Sequence, residues 1–358
     1  MERVEQTQAV PQNKASTDDY MHGQNPLLEV EDLQTHFFTQ EGIVKAVDGA
    51  SFKVHPGKTL GIVGESGCGK SIASKSILQI VDKPGRIVGG KATYHLREGS
   101  GQSSHVDLLS LPADSSEMRD IRGGEISMIF QEPMSSFSPV HTIGNQLIEA
   151  IRLHTNQSAT AARETALEWL RRVGISNPEQ RMAEYPYRLS GGQCQRAMIA
   201  MALSTNPRIL IADEPTTALD VTTQAQILNL LQDLQTEQGM SMIFITHDLG
   251  VIAEVADEVV VMYLGRVVER APVEQLFTDP KHPYTKALLT SIPTIDAKPR
   301  ERLPSITGSI PNPLNRPTGC PFHPRCPAFM AGTCDVKEPQ LTSVGPNQEA
   351  SCFLYPGS

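Results

Sequence analysis

The sequence predicts an α/β fold built on a mostly parallel sheet, and three observations carry that prediction. Short apolar stretches at 59–63, 126–130, 208–212 and 242–246 read as buried strands. Helical periodicity stands between them, most clearly in Ile227, Leu230, Leu231 and Leu234, and alternating strands and helices imply a parallel sheet covered on both faces. The third observation joins a strand to a helix: Gly64, Glu65, Ser66, Gly67, Cys68, Gly69, Lys70 and Ser71 follow the first stretch and precede Ala73, Ile77, Ile80 and Val81 at helical spacing. This is the phosphate-cradling pattern of Gly, four variable residues and Gly-Lys-Ser/Thr.

The loop's glycines let successive N–H groups turn onto phosphate oxygens at the positive end of the next helix. Lys70 then reaches the β and γ phosphates, and Ser71 ligates magnesium. Residues 1–25 are polar and aperiodic, and read as a disordered tail without the apolar core of a signal peptide. From Leu27 to Val54 the spacing predicts short, partly buried strands. A second β-rich piece at 85–106 is interrupted by a polar run at 99–105, expected as an exposed loop. After Pro139 the period becomes helical, with Ile143, Leu147, Ile148 and Ile151, then Ala166, Leu167, Leu170 and Val173. Beyond Thr278 the pattern dissolves into Pro, Gly and Cys, which marks a separate C-terminal segment.

The chain has 358 residues and a net charge of −9, with a pI near 5.6. That balance argues against nucleic acid as a partner. No run of about 18 apolar residues occurs, so the expectation is a cytosolic chain that reaches a membrane only through partners.

Two further motifs carry chemistry. Leu189, Ser190, Gly191, Gly192 and Gln193 precede a helical run, which makes either a helix cap or an anion site. Its place after the glycine loop and before an acidic strand end favours the anion site. That strand end is Ile209-Leu210-Ile211-Ala212-Asp213-Glu214, where two carboxylates emerge at the carboxyl end of a buried strand, the edge at which open α/β sheets bind ligands. Asp213 is placed to hold magnesium and Glu214 to take a proton from the attacking water.

Taken together, these motifs resemble the nucleotide-binding subunits of ATP-binding-cassette transporters over residues 27–278. The resemblance adds Gln131, Ala218-Leu219-Asp220 and His247 to the set. It implies a P-loop NTPase (RecA-like) core at 26–278 with an N-terminal antiparallel β subdomain and an inserted helical subdomain at about 134–187. It also implies roles: Phe37 stacks on adenine, Gln131 contacts magnesium and water, His247 contacts the γ phosphate, and Asp220 lies at a dimer interface. Two subunits would pair head to tail, each ATP lying between one glycine loop and the other subunit's Ser190–Gln193 equivalent.

Of six cysteines, Cys68 and Cys194 read as small packing residues, while Cys320, Cys326, Cys334 and Cys352 crowd the tail at spacings of five, seven and seventeen intervening residues. Disulfides, a zinc ion and an iron–sulfur cluster are the alternatives; a cytosolic chain disfavours the first and the absence of Cys-x-x-Cys weakens the second. His282-Pro283-Tyr284-Thr285, Arg316-Pro317-Thr318-Gly319-Cys320 and Pro324-Arg325-Cys326 resemble the C-terminal extension, at 279–358, of dipeptide and oligopeptide importer ATPases, with nickel importers as relatives. That resemblance implies a [4Fe-4S] cluster on the four tail cysteines. It further implies two transmembrane permease subunits, a second and different ATPase subunit, an extracytoplasmic solute-binding protein and a place on the cytoplasmic face of the membrane. A soluble ATPase of translation or DNA repair is the other reading; such proteins carry two cassettes, and only one phosphate loop is present.

Overall fold

The computed structural model describes residues 25–96, 105–217, 219–292 and 306–357. All but the last residue of the expected disordered tail and most of the expected polar loop lie outside these residues, as does Ala218.

Two strands open the fold, β1 (Leu28–Thr39) and β2 (Gly42–Val54). They are one long antiparallel pair rather than the several short strands expected, because the register runs from Leu28↔Val54 to Thr39↔Gly42 with bulges absorbing the irregular alternation. The next elements are β3 (Thr59–Val63), α1 (Lys70–Ile77), β4 (Gly85–His95), β5 (His105–Asp107), α2 (Ser116–Gly124) and β6 (Ile126–Ile129). A helical block follows: α3 (Pro133–Ser136), α4 (Ile143–His154), α5 (Ala159–Arg172) and α6 (Pro178–Met182). The chain then alternates through α7 (Gly191–Leu203), β7 (Ile209–Asp213), α8 (Val221–Gln238), β8 (Ser241–Ile245), α9 (Leu249–Val255), β9 (Glu258–Tyr263) and β10 (Arg266–Pro272). Its last elements are α10 (Val273–Thr278), α11 (Pro283–Thr290), β11 (Thr342–Gly345) and β12 (Gln348–Ala350).

The strands form a four-stranded antiparallel sheet, β2-β1-β4-β5, and an eight-stranded sheet, β11-β12-β10-β9-β3-β8-β7-β6. Strands β9, β3, β8, β7 and β6 are mutually parallel. Alternation along them divides the core. Leu210, Ala212, Met242 and Phe244 face the layer of helices that includes Leu147, Leu170, Ile199 and Leu231. Ile209, Ile211, Ile243 and Ile245 face the antiparallel sheet and α1. Strands β3, β6, β7 and β8 are buried along their whole length, as strands of a sheet covered on both faces are.

The C-terminal stretch is irregular for much of its length but is not separate. Strand β12 pairs with β10, and β11 with β12, so the tail extends the main sheet and covers its edge. Tyr284, Phe322, Cys320 and Cys334 belong to the same apolar core as the parallel strands. The junction is Glu269, fully buried on β10, whose carboxylate accepts from the N–H groups of Lys281 at 2.7 Å and His282 at 2.8 Å and from Gln348 Nε2 at 3.0 Å. Helix α11 was not legible as a helix; it starts where His282 Nδ1 accepts from the Tyr284 N–H, with Pro283 in the first turn.

His282 gives the tail an acid-sensitive joint. Burial pushes its pKa from 6.5 down to about 3, against a backbone hydrogen bond with Ser351. Between those values only the unfolded chain takes up the proton, so stability is lost as pH falls through that window, by up to ~1.4 kcal/mol per pH unit. A His282→Asn variant, which retains a cap acceptor, should show a flatter decline of melting temperature below about pH 6.5. An unchanged slope would contradict this account of the joint.

Candidate active site

The sequence-predicted residues gather at one edge of the main sheet because the parallel strands end there. The glycine loop leaves β3, Gln131 follows β6, Asp213 and Glu214 end β7, and His247 follows β8. The register places Ile62 and Asp213 both opposite Ile245, so the ends of β3, β8 and β7 are level.

The glycine loop turns where its sequence allows. Gly64 has φ +149° and a Cβ there would lie 2.2 Å from the Met262 carbonyl; Gly69 has φ +104° and a Cβ there would meet the Ala46 carbonyl at 2.2 Å. Both positions therefore exclude side chains as well as requiring glycine's backbone freedom. Lys70, 5% exposed, donates to the carbonyls of Gly64 at 2.8 Å and Glu65 at 3.3 Å. Cys68 packs beside it with Sγ 3.9 Å from Lys70 Nζ, and burial raises its pKa. A Gly69→Ala chain should express as misfolded or strongly destabilised protein, since overpacking against a backbone carbonyl typically costs ~1–3 kcal/mol before the positive φ is counted. Thermal melting checks this, and a parental melting temperature would contradict it.

Ser71 donates to Asp213 Oδ1 at 2.8 Å. Asp213 is 2% exposed. Burial raises its pKa above the usual carboxylate range and the neighbouring Glu214 adds to that, with the Ser71 bond opposing. Both side chains line a cavity of about 490 Å³ together with Lys75, Phe130, Gln131, Glu132, Ser135 and Ser136. A hydroxyl and a carboxylate 2.8 Å apart, one of them disfavoured as a bare anion by burial, are the oxygen donors a magnesium ion takes.

Glu214 is held from three sides. Gln131 Nε2 donates to Oε2 at 3.1 Å, Thr217 Oγ1 donates to the same oxygen at 2.8 Å, and His247 Nδ1 lies 3.3 Å from Oε1. The last contact needs the imidazole proton on Nδ1, since a carboxylate only accepts. Glu214 adopts φ +46°, unusual for a residue with a side chain, and its N–H is tied to the Ile245 carbonyl at 2.9 Å. Such backbone strain costs of order 1–3 kcal/mol and persists where the surroundings fix it. Its side chain is 11% exposed and that of His247 60%, so the carboxylate is sheltered and the imidazole reaches outward. Thr217 was not identified from the sequence; it lies three residues after Glu214, a spacing that brings the two together only because the chain turns there.

Ser190 and Gln193 form a capping box on α7: Ser190 Oγ accepts from the Gln193 N–H at 3.3 Å, and Gln193 Oε1 accepts from the Ser190 N–H at 3.1 Å. The helix-cap alternative is thus realised, with Ser190 and Gly191 left exposed. Among the described residues no hydrogen bond joins Ser190–Gln193 to the glycine loop. Cys194, just inside, donates to the Pro186 carbonyl at 3.4 Å. Asp220 is exposed and caps α8 through the Thr223 N–H at 3.0 Å and hydroxyl at 2.7 Å, bonds that hold its pKa low. Phe37 is half-buried on β1, paired with Val44 and Gly85, and is not among the side chains lining the cavity; Phe38 beside it is 40% exposed under Arg86.

The four tail cysteines are free thiols. Burial pushes Cys320 up to about 11, and Cys334, Cys352 and Cys326 act on it in the same direction, so the four share one neighbourhood. Cys320 and Cys334 are also joined by a backbone hydrogen bond of 2.8 Å. The expected ligand set is nevertheless not assembled: among the described residues no three His, Cys, Asp or Glu side chains are arranged to hold a metal ion. Burial raises the pKa of Cys320, Cys326 and Cys352, which favours the thiol over the thiolate that binds a metal.

Known proteins place this geometry. The model of the ABC transporter family matches residues 47–217. A second model, the oligopeptide/dipeptide transporter C-terminal region, matches 268–334. The chain is 49% identical to a probable peptide ABC transporter ATP-binding protein of Sinorhizobium fredii, covering 91% of this chain and 94% of that one. It is 50% identical to the oligopeptide transport ATP-binding protein AppD of Bacillus subtilis, over 92% and 97% of the two chains. The chain belongs to the ATP-binding proteins of ABC transporters.

As a member of that family it is an ATPase, and its fold agrees. The ATP-binding cassette MJ0796, solved as a dimer in a post-hydrolysis state with ADP and Pi, superposes with a TM-score of 0.59 at 26% identity, covering 69% of this chain and 98% of that one. The structure of cbiO1 from Clostridium perfringens, part of the ABC transporter complex cbiONQ, gives 0.57 at 25% identity, over 72% and 92%. The dipeptide transport ATP-binding protein DppD of Haemophilus influenzae is 46% identical over 89% and 93%. No helix among the described residues is long and apolar enough to cross a membrane.

Proposed function

We propose that this ABC ATPase powers peptide uptake, binding ATP in the glycine loop and hydrolysing it with Glu214 as general base. The observation that carries the chemical half is the threefold hold on Glu214, which aims one sheltered carboxylate at the sheet edge between the loop and His247. The peptide half is supported by the relatives' names and by the match of the tail to the oligopeptide/dipeptide region.

In this reading Ser71 and Asp213 hold magnesium, which when bound offsets charge on the β and γ phosphates. Lys70 leaves the loop carbonyls for the phosphates, and the loop's N–H groups from Ser66 to Ser71 receive the rest, the Glu65 N–H being held by Tyr284. Gln131, on the cavity wall and bonded to Glu214, links the attacking water to the helical block. His247 meets the γ phosphate from the exposed side, and Phe37 stacks on adenine.

The exposed cap of α7 fits a role across an interface. With Ser190 and Gly191 facing solvent and no bond to their own loop, they complete the site of a second ATPase subunit, with Asp220 nearby at that interface. Two permease subunits, gripped by the helical block, and a solute-binding protein complete the system, with this chain peripheral on the cytoplasmic face. Recovery of permease subunits and a solute-binding protein with tagged chain from membranes tests this; recovery of ribosomes or DNA would favour the soluble-ATPase reading.

We also propose that Cys320, Cys326, Cys334 and Cys352 carry a [4Fe-4S] cluster, supported by four free thiols in one neighbourhood of an edge-docked tail. As the thiols stand they are not a ligand set, and no catalytic step is assigned to a cluster. Anaerobically purified protein should be brown with stoichiometric iron and sulfide; colourless protein with one zinc per chain would sink the idea.

A further inference from the structure

A phosphate loop that receives a polyanion carries a carboxylate of its own, Glu65. Left bare, that charge would repel the phosphates. The structure neutralises it from the far end of the chain. Arg325, 260 residues on, donates Nη1 to Glu65 Oε2 at 2.7 Å and Nη2 to Oε1 at 3.0 Å, a two-pronged pair. The Arg325 side chain is 4% exposed and that of Glu65 23%. Its guanidinium is aimed by the Thr307 carbonyl, which accepts from Nε at 3.2 Å, and by the Tyr263 hydroxyl at 3.4 Å from Nη1.

A second tail residue holds the same loop position by its backbone. The Tyr284 hydroxyl accepts from the Glu65 N–H at 2.9 Å. Tyr284 is fully buried, and its ring packs against Tyr263 at 4.7 Å and Phe322 at 5.3 Å between centroids. This N–H is therefore directed into the aromatic core rather than toward a ligand. Both contacts come from the tail that β12 and Glu269 dock onto the sheet.

We propose that the C-terminal extension is a working part of the ATP site: Arg325 cancels and clamps the Glu65 charge while Tyr284 fixes the backbone beneath it. Both are positioning residues, acting on ATP through the loop. The proposal rests on the loop being the ATP site, and the test separates the two.

Equilibrium binding of a fluorescent ATP analogue to the full-length chain is measured for Arg325→Met, Glu65→Gln and the double variant, with Lys70→Ala as control and melting temperature recorded for each. Arg325→Met exposes an unpaired carboxylate to the phosphates and should weaken binding about tenfold. Glu65→Gln should bind as tightly as the parent or tighter. The double variant should return to within about threefold of the parent, because removing Glu65 repairs the loss of Arg325. A double variant as weak as Arg325→Met, or Glu65→Gln as weak as Arg325→Met, overturns the proposal. If Arg325→Met does not fold, Arg325→Lys carries the test: it keeps the charge without the fork and should stay within about threefold of the parent, whereas a tenfold loss overturns the charge-cancelling role. Parental binding by Lys70→Ala would overturn the ATP-site reading itself, independently of the clasp.

Discussion

Replacing Glu214 by Gln is expected to lower ATP turnover in the assembled transporter by about 10² to 10⁴ while leaving ATP binding intact. The amide keeps the size of the side chain and its acceptor oxygen, so the Thr217 and Gln131 contacts on that side can persist. What it loses is the capacity to take a proton. Because Glu214 lies at φ +46° with its N–H tied to Ile245, a substitution that keeps the side-chain shape also keeps the turn. Parental turnover by this variant would show that another group accepts the proton.

The second large effect concerns Gly191. A Cβ at this position would meet nothing within 4 Å, and the residue opens α7 directly after its Ser190 cap. Gly191→Asp should therefore fold normally, since an acidic first-turn residue suits the helix dipole. In the assembled complex the same carboxylate would face the phosphates held by the partner's loop. Loss of one such anion-stabilising contact typically costs about 10² to 10³ in rate, and an added negative charge deepens that.

Much of the core was legible because its signals are local. The short stretch 59–63 before Gly64 gave β3 at its observed bounds, and the runs at 208–212 and 242–246 gave β7 and β8 within one residue. Helix α1 is shorter than its periodicity suggested: Ile80 and Val81 continue the apolar stripe, but Gln79 at φ +52° ends the helix after Ile77. The long β1–β2 pair hid behind bulges that break strict alternation. The strands of the tail were not legible, because β11 and β12 are three or four residues each and acquire meaning only by adding to the sheet beside β10.

The candidate site divides along the same line. Lys70, Ser71, Asp213 and Glu214 were recognisable by type and spacing, Gln131 and His247 by the family resemblance, and the parallel strands bring all of them to one edge. Arg325 and Tyr284 stood within motifs visible in the sequence, yet nothing local pairs them with Glu65 across more than 200 residues. Ser190 to Gln193 were legible as a motif, while their capping box leaves their exposed side for a second chain to explain.

The glycine loop is, on this account, half of an ATP site whose other half comes from a partner. The most direct measurement compares Gly191→Asp with the parent twice, as ATP binding by the isolated full-length chain and as ATP hydrolysis by the membrane-embedded complex. Undiminished binding with hydrolysis reduced by about 10² or more is the predicted result. Hydrolysis at the parental rate, or loss of ATP binding by the isolated chain, would contradict a site shared between two subunits.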